Sequence, residues 1–176
     1  MLLLAFAACT NKALGTKTTA TKAQTVPTIK GATFTTYQMD NGTLNWTGSK
    51  AIGSAHLGTI NISKGTLGLS TDGQIATGDF TIDMASITCT DLQVGQGKEK
   101  LEGHLKAKDF FDVAQFPIGA FEILKVELVT GVPAVTHNIT GNLTLKGVKK
   151  SITIPANIAM AGGCLLYTSP SPRDRG

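Results

Sequence analysis

The sequence predicts an all-β fold, an antiparallel sheet closed into a barrel with one short helix, on three observations. From Thr33 to Met160 apolar residues tend to recur at every second position, the period of a strand with one buried face. Glycine-containing turn pairs interrupt that pattern at short intervals. Only one segment, 98–108, has helical spacing, with Leu101 and Leu105 four apart. About seven strands of this kind leave exposed edges, which closure into a barrel removes.

In chain order, Leu44 and Trp46 mark a short strand after a turn at Asp40-Asn41-Gly42. Ile60 and Ile62 mark another, and Leu67 and Leu69 a third, separated by a turn predicted at Lys64-Gly65. After Asp72-Gly73 comes the clearest alternation: Ala76, Gly78, Phe80, Ile82 and Met84 against Thr77, Asp79, Thr81 and Asp83. Beyond the helix, Phe121 and Ile123 are followed by Leu124, Val126 and Leu128, a slip of one residue that predicts a bulge. Ile139, Gly141, Leu143 and Leu145 then alternate with Asn138, Thr140, Asn142 and Thr144. A turn at Lys146-Gly147 leads to Ile152 and Ile154.

The chain has 176 residues, 41% hydrophobic and 16% charged, enough for one domain with a substantial core. Its formal charge of +4 comes from scattered lysines, which excludes a nucleic-acid footprint and fits a mildly basic surface facing anionic lipid headgroups. Cys9, Cys89 and Cys164 show no C-x-x-C or metal-site spacing. His56, His104 and His137 lie far apart on different elements without H-x-H or H-E-x-x-H spacing, and read as hydrogen-bonded structural residues. Asp83 and Asp109 fall where they would cap a turn or a helix. No metal, resident cofactor or catalytic residue is predicted, and the chain is not read as an enzyme.

Both ends read as lying outside the fold. Residues 1–8, MLLLAFAA, form an apolar run ending in small residues directly before Cys9, the pattern of a lipoprotein signal peptide with Cys9 as the lipidation site. The run is shorter than the roughly 20 residues needed to cross a bilayer, and without basic residues at its start it reads as truncated. Several acyl chains on Cys9 would anchor the protein stably. Residues 9–32 are rich in Thr, Lys and Ala and read as a lipidated cysteine followed by a flexible tether. Residues 163–176, which contain CLLYTSPSPRDRG, resemble translated sequencing-adapter read-through and are expected to be non-native.

Between the ends, residues 33–162, a set of local signals recurs in a characteristic order. These are W-x-G-x-K at Trp46 to Lys50, H-L-G at His56 to Gly58 and I-D-M-x-S-I at Ile82 to Ile87. They continue with H-L-K-x-x-D-F-F at His104 to Phe111, F-P at Phe116-Pro117 and I-T-G-x-L-T-L-K-G-V-x-K at Ile139 to Lys150. In this order they resemble the YceI-like family of bacterial periplasmic polyisoprenoid-binding proteins, in particular its lipoprotein branch. The resemblance implies a lipocalin-like, eight-stranded antiparallel β-barrel whose elongated apolar interior holds an isoprenoid quinone or a polyprenyl phosphate. It also implies two further strands after the point where the adapter-like tail begins, which are absent here, so the barrel is expected to be incomplete.

Inward positions of an alternating strand would line such an interior. Trp46, Phe80, Ile82, Met84, Phe110, Phe111, Phe121, Leu143 and Leu145 are the lipid-binding candidates, and Phe80, Ile82, Met84, Leu143 and Leu145 are equally able to serve as plain core. Phe110, Phe111, Phe116 and Phe121 would form a lip of the cavity or seat the helix. Lys50 is the headgroup candidate, or else a solvated surface lysine. The expected partners are an isoprenoid lipid and a membrane reached through acylated Cys9, and a homodimer is compatible with the sequence. Thr10 after Cys9 points to the outer membrane, facing the periplasm. The alternative reading is a filled barrel that serves as a structural or protein-interaction module.

Overall fold

The computed structural model describes residues 18–26, 33–49, 55–131, 135–161 and 164–168. They form one antiparallel sheet and one helix: β1 (Thr21–Lys22), β2 (Thr35–Met39), β3 (Gly42–Ser49), β4 (Ala55–Leu69), β5 (Ile75–Cys89), α1 (Lys98–Lys106), β6 (Ile118–Leu128), β7 (His137–Leu145), β8 (Val148–Ala161) and β9 (Cys164–Thr168). The sheet runs β1-β8-β7-β6-β5-β4-β2, with β3 also on β4 and β9 also on β8. Among the described residues no strand pair joins β2 or β3 to β1, β8 or β9, so the sheet is open along that seam.

The predicted turn at Lys64-Gly65 is absent, because β4 is a single strand of 15 residues passing through it. What separates Ile60 and Ile62 from Leu67 and Leu69 is a bulge. Ile62 pairs with Ile82 and Lys64 with Thr81, leaving Ser63 as the extra residue. One extra residue switches the inward set from even to odd positions. Asp40-Asn41-Gly42 does not reverse the chain either. Met39 pairs with Gly65 and Gly42 with Ile62, so β2 and β3 lie end to end along the same edge of β4.

The bulge expected after Ile123 is present. Ile123 pairs with Gly141 and Lys125 with Thr140, so Leu124 is the extra residue and both Ile123 and Leu124 are buried. The Lys146-Gly147 turn also forms, with φ of 48° and 71°, the left-handed pair that suits a two-residue hairpin.

Two apolar clusters share the inward face. The first contains Trp46, Ile60, Ile82, Met84, Ile87, Cys89, Leu105 and Val113. The second contains Ile123, Ile139 and Ala156. α1 joins the first through Leu105, with Leu101 packed beside it. Glu102 fastens the helix to β5 by accepting the Thr88 hydroxyl at 2.6 Å and the Cys89 amide at 2.8 Å. Those two hydrogen bonds hold its carboxyl below the usual carboxylate range.

The segment expected to be a flexible tether is fixed along part of its length. β1 pairs with β8 through Thr21↔Ser151 and Lys22↔Lys150. Asn142 then accepts the Gln24 amide at 3.0 Å and donates to the Gln24 carbonyl at 2.7 Å. Alternation assigns Asn142 to solvent, yet it is 1% exposed because this segment covers it. A side-chain amide pairing with both backbone groups of one residue supplies the local fixing that apolar content does not.

Candidate lipid-binding face

Partner residues in an antiparallel ladder carry their side chains on the same face, so register alone traces rows across the sheet. One row crosses seven strands: Met39 on β2, Gly65 on β4, Phe80 on β5, Phe121 on β6, Leu143 on β7, Lys150 on β8 and Lys22 on β1. At about 4.8 Å per strand its six steps span about 29 Å. It is apolar as far as Leu143 and ends in two lysines.

The glycines of this face lie beneath large side chains. A Cβ on Gly58 would collide with the Trp46 indole and the Thr88 carbonyl oxygen, and one on Gly141 with the Phe121 ring and the Glu122 carbonyl oxygen. A Cβ on Gly65 would stand 2.7 Å from the Phe80 ring. A ring over a neighbouring glycine lies down along the sheet, and glycine permits this because it has no side chain.

Among the lining candidates, Trp46, Ile82 and Met84 belong to the first cluster, and Phe110, Phe111, Leu143 and Leu145 pack against it. Phe80 and Phe121 pack instead on the second cluster, facing each other across β5 and β6. Phe110 and Phe111 meet edge to face, with ring centroids 4.7 Å apart, on the apolar group that holds α1. Phe116 stands apart, over the turn at Gly147. The Trp46 indole donates to the Thr59 carbonyl at 3.2 Å. Lys50 and Cys9 lie outside the described residues.

The histidines have neighbours that sequence spacing does not reveal. His56 Nδ1 lies 2.9 Å from Asp91 Oδ2, and the other oxygen of Asp91 accepts the Leu57 amide and the Cys89 thiol. Burial works against the charge on Asp91, but these partners hold its carboxyl low, and burial pushes the Cys89 thiol up. The group ties the start of β4 to the end of β5, with Asp91 between His56 and the thiol. His104 lies 3.4 Å from Asp109 on the surface. Asp83 does not end an element: inside β5 it accepts the Ala85 amide at 3.0 Å while Ser86 donates to its carbonyl at 2.6 Å. This stabilises a bulge in which Met84 to Ile87 stand against Ile60 alone between the Asp83–Asn61 and Thr88–Thr59 pairs, with Met84 and Ile87 buried in the first cluster. Among the described residues no group of three or more His, Cys, Asp or Glu could hold a metal ion.

Burial lowers the pKa of His137 from its ordinary 6.5. The unfolded chain therefore binds the proton more readily, and stability rises with pH across the window just below 6.5. Urea midpoints are expected to fall as the wild type is taken from about pH 7 to about pH 5.5, and less steeply for His137→Gln. Equal slopes would show that this ring carries no such linkage.

A family model described as the YceI-like domain matches residues 19–169. The chain belongs to the YceI-like family. A UPF0312 protein of Pseudomonas aeruginosa is 35% identical over 80 residues, 46% of this chain and 40% of that protein. Protein YceI of Salmonella arizonae is 31% identical over 80 residues, with the same coverage of 46% and 40%. The matched stretch thus spans 40% of these curated relatives' length. Crystalline BcnA of Burkholderia cenocepacia shares the fold at a TM-score of 0.52 and 20% identity, over 72% of this YceI-like chain and 73% of its own. A polyisoprenoid binding domain from Saccharophagus degradans aligns more loosely, at a TM-score of 0.45 and 18% identity over 80% and 76% of the two chains.

Proposed function

We propose that this YceI-like protein binds a long isoprenoid-like lipid along the inward face of its sheet and carries or stores it at the bacterial cell envelope without chemical change. The observation that carries the reading is the row from Met39 to Leu143, continuous and apolar across five strands, with aromatic rings laid over glycines. Met39, Phe80, Phe121 and Leu143 are only half-buried, so the row keeps apolar surface that a flexible apolar chain could cover. In this reading the sheet curls around the lipid and closes as a barrel, and no resident cofactor takes part. The lipoprotein-like signal before Cys9 supports a lipid anchor, on the outer membrane facing the periplasm.

The test is the mass of the full chain, made in a bacterium and purified in mild detergent, under non-denaturing conditions. The expected result is a reproducible mass excess, released by organic solvent and identified as a prenyl chain. A bare protein that also takes up neither isoprenoid quinone nor polyprenyl phosphate would overturn the reading in favour of an interaction module.

A further inference from the structure

We infer that the paired lysines Lys22 and Lys150 form a headgroup site, and that the lipid bound by this face carries an anionic phosphate rather than a neutral head. The inference rests on the lipid-binding reading above and deepens it. On β8 the inward positions are Val148, Lys150, Ile152, Ile154 and Ala156, the partners of Leu145, Leu143, Gly141, Ile139 and His137. Lys150 thus interrupts an otherwise apolar set. Its partner across the edge is Lys22, so two ammonium groups are carried side by side on one face.

Like charges directly opposite each other destabilise a ladder unless something of opposite sign lies between them. Nothing among the described residues meets that need. Neither lysine forms an ion pair among the described residues, and the nearby pair, Lys149 with Glu122 at 2.6 Å, lies on the opposite face with Ser151 and Thr144. Both lysines are exposed at the open edge, and the row beginning at Leu143 runs inward from them as apolar surface. A cationic end on an apolar track complements an amphiphile with one charged head and one long tail. Two point charges with freely rotating donors suit a phosphate. Because Lys150 comes from β8 and Lys22 from the segment before β2, the site exists only where that segment is docked.

The test compares a long-chain polyprenyl monophosphate, the polyprenol of the same length and inorganic phosphate, each added to the full chain and to its Lys22→Met/Lys150→Met variant. The wild type is expected to bind the monophosphate about tenfold or more tightly than the alcohol, and inorganic phosphate far more weakly than either. In the variant the two lipids should bind equally, while Lys150→Arg keeps the preference. If wild type takes both lipids with equal affinity, lipid binding stands and the headgroup site is refuted. Binding of neither lipid refutes the lipid reading itself. Inorganic phosphate binding as tightly as the monophosphate would mean an anion site independent of the apolar track, and would also overturn the inference.

Discussion

Trp46→Ala is expected to lower the free energy of unfolding by about 3–5 kcal/mol, read as a shift of the urea midpoint at unchanged slope. Trp46 is 6% exposed and packs in the first cluster with Ile60, Met84 and Cys89. Removing the indole empties the space above Gly58, which has no side chain to refill it, and takes from the Thr59 carbonyl its indole donor. The cavity and the lost hydrogen bond therefore add. Trp46→Phe separates them, since it keeps a ring on the glycine and loses the donor, and should cost about half as much. A loss under about 1 kcal/mol for Trp46→Ala would show that the site collapses readily and that the ring is no keystone of the wall.

The second large effect is expected at Gly58 itself. The added methyl of Gly58→Ala would meet both the Trp46 ring and the Thr88 carbonyl oxygen, and the latter is backbone of the paired strand and cannot swing away. Overpacking typically costs about 1–3 kcal/mol, and this position should reach or exceed the top of that range. Gly65→Ala is the control. There the nearest atoms are in the Phe80 ring at 2.7 Å and the Met39 terminal methyl at 2.9 Å, both side chains that can shift. Its loss should be clearly the smaller of the two by the same measurement. Equal losses would mean that the β4–β5 backbone yields at Gly58 as easily as a side chain does.

Much of the architecture was legible because a half-buried strand writes its two faces into alternate positions. Ala76 to Met84 and His137 to Leu145 needed nothing more, and the slip after Ile123 located its bulge to the residue. Other features share local signals with something different. Lys64-Gly65 has the composition of a turn, but its glycine makes room for Phe80 in an uninterrupted strand. The bulge at Met84 to Ile87 depends on Asp83 and Ser86, whose polarity alone reads as solvent exposure. Asn142 and Gln24 are 118 residues apart, a separation at which no periodicity carries information. The partnership of His56 with Asp91 is likewise a product of tertiary folding. Lys150 could have been found: extending the alternation from Ile154 and Ile152 back along the strand places a lysine on the apolar face.

The sheet's connectivity also orders its assembly in time. From β4 to β9 every strand pairs with its neighbour in sequence, while β1 must find β8 across some 130 residues. Contacts between neighbours close short loops and form early, whereas distant ones wait for a surface already built. β1 is thus expected to be the last of these strands to dock, and the two lysines at the end of the apolar row meet only when the rest of the sheet is in place. A half-assembled intermediate would therefore expose the greasy row before its charged end is in place.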